Sequence, residues 1–132
     1  MLPSSVATSQ ATDDGSTGHH GFVTELLKAH LQAATGEKPA IYSCGPLPML
    51  RAVSRVCEEF GATCYVSLEE AMPCGVGVCN GCVVPVCHIA QEHGAGSGDD
   101  YSLYKRICVD GPVLSGATVS YTHLTLPTIY SV

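Results

Sequence analysis

The sequence predicts an α/β chain in two parts, the C-terminal half of a doubly wound domain followed by a small cysteine-rich module with short strands. Three observations predict it. Helix and strand patterns alternate from residue 20 to residue 67, the order of a parallel α/β sheet. A glycine-rich run with three cysteines follows, and a fourth cysteine lies downstream. The length, 132 residues, suits two very small domains better than one uniform one, given that change of pattern.

In chain order, residues 1 to 12 hold no clear element, and Asp13-Asp14-Gly15-Ser16-Thr17-Gly18 is a turn-forming loop of small and acidic residues. Phe22, Val23, Leu26, Leu27, His30 and Leu31 recur at three-and-four spacing, which predicts a helix with Gly36 as its stop. Ala40-Ile41-Tyr42-Ser43 is a short apolar strand that ends in Cys44-Gly45-Pro46. A second helix follows with an inner face of Met49, Leu50, Val53, Val56 and Phe60, closed by Gly61. Thr63-Cys64-Tyr65-Val66-Ser67 is the next strand. A doubly wound sheet needs more strands than these, so its first half is expected to be missing.

Residues 68 to 73 lead into Cys74-Gly75-Val76-Gly77-Val78-Cys79-Asn80-Gly81-Cys82. The C-x4-C-x2-C spacing is that of plant-type [2Fe-2S] loops, where three thiolates from one short loop curl around a small inorganic core. Gly75, Gly77 and Gly81 permit that curl, because glycine adopts positive φ at little cost and brings backbone N–H groups close to sulfur. A zinc site, the rival reading, usually shows two C-x2-C pairs and needs no glycine wrap.

Two cysteines compete for the fourth place. Val83-Val84-Pro85-Val86 reads as a strand, which puts Cys87 on the order of 16 Å from Cys82. That geometry favours Cys108, in a short apolar strand running into Asp110-Gly111-Pro112; Cys87 takes the place if Pro85 turns the chain back. Residues 88 to 100 read as an exposed polar loop, and His88, His93, His19 and His20 as solvated histidines, since four cysteines leave a cluster no vacancy. Glu69 and Glu70 read as surface, because no nucleophile accompanies them.

Composition narrows the setting. Hydrophobic residues make up 45% and charged ones 14%, with no Trp and two Phe, so a partner-covered face is expected. A net charge of −6 offers no basic patch for nucleic acid, and no stretch is apolar enough to span a membrane or serve as a signal peptide. Eight cysteines without a secretory signal point to reduced thiols and a cytoplasmic setting. The run from Val119 to Thr128 reads like the conceptual translation of a transposase sequencing adapter, so residues 119 to 132 are expected to be an artefactual tail. The expected organisation is therefore residues 1–67, a partial α/β domain, residues 68–118, the cysteine module, and residues 119–132, the tail.

Ala11-Thr12-Asp13-Asp14-Gly15-Ser16, Cys44-Gly45-Pro46-Leu47-Pro48-Met49-Leu50, Ser67-Leu68-Glu69-Glu70-Ala71-Met72-Pro73-Cys74-Gly75 and Cys108-Val109-Asp110-Gly111-Pro112-Val113, in this order, resemble the electron-transfer subunit of dihydroorotate dehydrogenase B. The resemblance covers roughly residues 7 to 117 and implies a ferredoxin-reductase-like nucleotide-binding domain preceded by a flavin-binding β-barrel, which is absent here. It implies that Cys74, Cys79, Cys82 and Cys108 hold a [2Fe-2S] cluster, that Cys44, Gly45 and Pro46 lie where nicotinamide meets flavin, and that Asp14, Gly15 and Ser16 line the nucleotide cleft. The cofactors implied are the cluster, FAD and NAD. The partner implied is an FMN-containing catalytic subunit, in a heterotetramer of two subunits of each kind, within de novo pyrimidine biosynthesis. Two departures from the family pattern stand out: a long stretch between Cys82 and Cys108, and the missing N-terminal half. Alternative readings are the small subunit of an NADH-dependent ferredoxin:NADP oxidoreductase or sulfide dehydrogenase, and a stand-alone ferredoxin-like carrier.

Overall fold

The computed structural model describes residues 6–87 and 103–121. The expected exposed loop with His88 and His93, and the tail from residue 122 onward, lie outside the described residues.

The alternation of helix and strand produces a parallel βαβ unit. β3 (Ile41–Cys44) and β4 (Cys64–Ser67) pair in parallel from Ile41 opposite Cys64 to Cys44 opposite Ser67, connected by α2 (Leu47–Phe60). Pro46 caps the start of α2 and Pro48 lies in its first turn, where backbone N–H groups lack intrahelical partners. Its buried residues are Leu50, Val53, Val56 and Cys57. Cys57 takes the inner place that the sequence period gave to Phe60, because it stands seven residues after Leu50 while Phe60 belongs to the final, turning-away residues. Gly61, in the left-handed conformation at φ 61°, ends the helix, and the Ala62 N–H returns to the Cys57 carbonyl at 2.8 Å.

Before this unit, β1 (Ala11–Thr12) and β2 (His19–His20) form a two-residue parallel ladder around the expected turn, which the sequence pattern left as loop. α1 (Val23–Ala33) buries Leu31 and lays Leu27 against the core. Phe22 is not part of its face: it precedes the helix in extended conformation, 68% exposed. The helix also stops at Ala33, three residues before Gly36.

The cysteine module is tied to the first part by a strand. β5 (Val83–Pro85) and β6 (Tyr104–Arg106) form an antiparallel pair, the one-turn helix α3 (Ile107–Asp110) follows, and β7 (Val113–Ser115) joins β4 antiparallel as third strand of its sheet. One core accordingly runs through both parts. Leu50, Cys57 and Val66 from the βαβ unit and Cys82, Val84 and Ile107 from the module share it, all nearly inaccessible to water. Burial of each large aliphatic side chain contributes about 1.5–3 kcal/mol.

The packed chain also runs past residue 118. Val119 is buried and bridges Val86, the Ser120 N–H donates to the Pro85 carbonyl, and the Tyr121 hydroxyl meets Ser54 Oγ at 2.8 Å. Three residues assigned to the tail thus pack within the described fold.

The sheet has one covered face and one open. Val66 and Cys64 turn toward α2, whereas Tyr42 and Tyr65 point the other way, stacked with ring centroids 5.2 Å apart. Tyr42 remains 75% exposed, which leaves an aromatic patch on this face of the sheet. Among the described residues no helix is long and apolar enough to cross a membrane.

Candidate metal centre

The ligand loop is shaped by three residues with positive φ: Gly75 at 65°, Gly77 at 79° and Asn80 at 54°. The expectation that Gly81 supplies the third is corrected. Asn80 adopts the left-handed turn, which its short polar side chain tolerates. Gly81 instead sits in close quarters: a Cβ there would stand 3.2 Å from Pro73 Cδ and 3.4 Å from Cys79 Sγ. Gly77 is constrained twice, by its φ and by Val109, whose Cγ2 would lie 2.4 Å from a Cβ.

Within this loop Cys74 and Cys79 interact through their thiols, and backbone N–H groups converge on Cys74. The N–H of Cys79, then that of Val76, with the Cys79 thiol and the Val78 N–H, push the Cys74 thiol down to about 6. The Gly81 N–H donates to Cys79 Sγ at 3.4 Å. These donors favour anionic sulfur, the state in which cysteine binds metal.

The second pair forms across the module. Cys82, buried at the start of β5, faces Cys108 with the sulfurs 3.2 Å apart, and the Cys108 N–H donates to Cys82 Sγ at 3.4 Å. The Ile107 N–H holds the Cys82 carbonyl at 3.1 Å. The Cys108 N–H and thiol lower the Cys82 pKa, while the hydrogen bond with Cys82, burial and nearby sulfur charge raise that of Cys108. The Gly77 N–H also reaches Cys108, and the charge of Cys74 is felt there, which links the two pairs.

Cys108 therefore sits on a helical turn, a correction to the expected strand, and the turn is what aims its thiol and N–H at Cys82. Cys87 lies elsewhere. β5 carries it out of the loop to an exposed position where its N–H donates to Thr118. The four predicted sulfurs stand as two pairs, and among the described residues no three His, Cys, Asp or Glu side chains converge on a single point. Paired thiols with glycine-held N–H donors fit a two-iron core better than a single tetrahedral ion, for which four donors close on one centre.

The other predicted residues lie apart from this centre. Cys44 ends β3, 3.9 Å from Glu69 Oε1, beside Gly45 at φ 149°. A hollow of about 170 Å³ is lined by Tyr42, Ser43, Cys44, Tyr65, Ser67 and Val113, smaller than the roughly 300–1,000 Å³ of small-molecule pockets. A larger cavity, about 510 Å³, opens near the start of β4, between the second half of α2 and Gly116, and of the candidate residues only Cys87 lines it. The Asp14 loop is exposed and bonded within itself: the Ser16 N–H donates to Asp14 Oδ1 at 2.9 Å, the principal cause of a lowered Asp14 pKa. His19 contacts Glu25 at 2.5 Å.

One neighbour of the centre was not legible as such in the sequence. Arg106 donates from Nη1 to the Gly77 carbonyl at 3.1 Å, and the only signal for it is its place two residues before Cys108.

Residues 69–120 match the family described as the iron-sulfur cluster binding domain of dihydroorotate dehydrogenase B. The chain is 39% identical over 102 residues to the electron transfer subunit of dihydroorotate dehydrogenase B (NAD(+)) of Caldanaerobacter subterraneus, covering 77% of this chain and 36% of that protein. It is 42% identical over 113 residues to the same subunit of Bacillus caldolyticus, covering 85% and 37%. The chain thus spans little more than a third of the length of these curated relatives. A solved structure of NADH-dependent reduced ferredoxin-NADP oxidoreductase, studied for flavin-based electron bifurcation, is 30% identical with a TM-score of 0.61, covering 82% of this chain and 33% of that one. By these matches residues 69–120 belong to the iron-sulfur cluster binding domain family of dihydroorotate dehydrogenase B, and the chain over most of its length is similar to part of that enzyme's electron-transfer subunits.

Proposed function

We propose that the chain is part of a subunit that relays electrons between a dihydroorotate-oxidising partner and NAD, through FAD and a [2Fe-2S] cluster held by Cys74, Cys79, Cys82 and Cys108. The observation that carries this reading is the pairing of those thiols, with N–H donors aimed at them, inside the stretch that matches the cluster binding domain. A bound cluster supplies one-electron transfer, which connects separated flavins that exchange one or two electrons. The chain's own residues position and tune. Gly77 and Gly81 leave room for the loop to close, the N–H groups of Val76, Val78 and Cys108 favour charged sulfur, and the buried Cys82 limits water on one side.

In the same reading, residues 1–67 are the second half of a doubly wound nucleotide-binding domain, residues 68–118 the cluster module, and residues 119–132 a tail whose first residue, Val119, is buried. Cys44, Gly45 and Pro46 at the carboxyl end of β3 border the nicotinamide, and Asp14, Gly15 and Ser16 the rest of the nucleotide. The small hollow at Cys44 and the open tyrosine face support a site completed by further protein. FAD is assigned mainly to the barrel implied by the family resemblance. The partner is an FMN-containing catalytic subunit in a two-plus-two heterotetramer, and the setting is the cytoplasm, in keeping with eight free thiols. Pyrimidine chemistry belongs to the partner. The likeness to NADH-dependent ferredoxin-NADP oxidoreductase favours a second reading, as the small subunit of such an enzyme.

The test mixes the cluster-loaded protein anaerobically with a dihydroorotate-oxidising flavoprotein and follows visible absorption. Bleaching on addition of dihydroorotate is expected. A chromophore that ignores dihydroorotate and responds to a ferredoxin couple contradicts the first reading and supports the second.

A further inference from the structure

We propose that Arg106 is a positioning residue for the cluster, holding the Cys74–Cys79 arc against the turn that carries Cys108 and placing a fixed positive charge at the Gly77 carbonyl within that arc. The inference rests on the cluster assignment above and deepens it.

Arg106 sits at the junction of β6 and α3, opposite Val83 in the ladder, one residue from Cys82. Its backbone N–H donates to Asp110 Oδ2 at 2.6 Å, which closes the helical turn holding Cys108. Its guanidinium reaches 29 residues back along the chain to the Gly77 carbonyl at 3.1 Å. The two ends of one residue therefore grip both halves of the centre.

Gly77 is the natural place for that grip. Its carbonyl is taken by Arg106, while its N–H reaches toward Cys108. It packs directly on the turn, since a Cβ there would lie 2.4 Å from Val109 Cγ2 and 3.4 Å from Arg106 Nη1. Without the guanidinium, the arc still packs on the turn through Gly77 and Val109, but the hydrogen bond from Arg106 to the Gly77 carbonyl is lost.

The charge has its own consequence. A reduced cluster carries one more negative charge than an oxidised one, so a nearby cation that stays protonated at all working pH values favours reduction. Lys105, the neighbouring cation, faces away by strand alternation, and Asp110 offsets part of the field. Arg106 is exposed, so the effect weakens as salt rises.

The test compares Arg106→Lys, Arg106→Gln and Arg106→Leu with the parent chain by two measurements. In cluster-loaded protein, redox titration is expected to give a lower midpoint potential for Arg106→Gln and Arg106→Leu, a difference that shrinks at high salt, while Arg106→Lys stays near the parent. In the metal-free chain, amide hydrogen exchange of residues 76 to 79 is expected to rise about three- to tenfold in Arg106→Leu, the loss of one exposed hydrogen bond. Parent-like potentials in both uncharged variants overturn the electrostatic role, and unchanged exchange overturns the clamp. A variant that fails to load the cluster is read by exchange alone, where parent-like protection overturns the proposal. If the parent itself takes up no iron, the relay reading falls, and exchange still decides the clamp.

Discussion

Replacing Gly77 with alanine tests how tightly the ligand loop is built. At φ 79° an L residue pays about 1–2 kcal/mol for the left-handed conformation. The added Cβ would also stand 2.4 Å from Val109 Cγ2, more than 1 Å inside the ~3.5–4.0 Å of an ordinary carbon contact, and such overpacking costs about 1–3 kcal/mol. Val109 is 52% exposed and can turn partly away, which places the expected total in the lower half of the sum, about 2–3 kcal/mol. Urea denaturation of the anaerobic protein reads the cost as a lower midpoint with unchanged slope. A double-mutant cycle with Val109→Ala separates the two causes. That truncation alone is expected to cost under about 0.5 kcal/mol at its exposed site, and in the Gly77→Ala background to recover about 1 kcal/mol while the backbone strain remains. A Gly77→Ala chain within 0.5 kcal/mol of the parent refutes the reasoning. Relief by Val109→Ala that is complete, or absent, refutes the division between collision and φ.

Four further outcomes follow from the same geometry. Cys108→Ser is expected to abolish iron retention in anaerobically purified protein while Cys87→Ser leaves it unchanged, as measured by iron per chain. In the metal-free chain, timed alkylation with peptide mapping is expected to label Cys74 first at pH 7, since its thiol is held near about 6, and Cys57 last, since burial and the neighbouring Cys64 push it up to about 12. Because the Cys74 pKa is lowered on folding, its contribution to metal-free stability is full above the unfolded thiol's value of 9.0, shrinks below it, and is gone once pH falls through about 6. Leu50→Ala, at a site 1% exposed, is expected to cost about 2–5 kcal/mol in the same denaturation assay.

What the sequence disclosed depended on whether a feature was local. The cysteine spacing, the strand after Cys82 and the Gly61 cap follow from short-range rules, and the structure places Cys108 rather than Cys87 beside Cys82 on that account. β7 and Val119 were invisible as parts of the core because their partners, β4 and Val86, lie far away in sequence. β1 and β2 are two residues each, too short for any period to register. Asn80 is not legible as a positive-φ residue because glycine is the default there, and the neighbouring Gly81 satisfies that rule better. Arg106 had no motif; its function is legible only from the hydrogen bond that spans the module.

The central claim is met most directly by native mass spectrometry of anaerobically reconstituted protein in which Cys44, Cys57, Cys64 and Cys87 are all replaced by serine or alanine, leaving Cys74, Cys79, Cys82 and Cys108. The account predicts a mass increment of two irons and two sulfides, lost when any one of the remaining four is also replaced. A variant that holds zinc alone, or that binds no iron while the parent does, contradicts it.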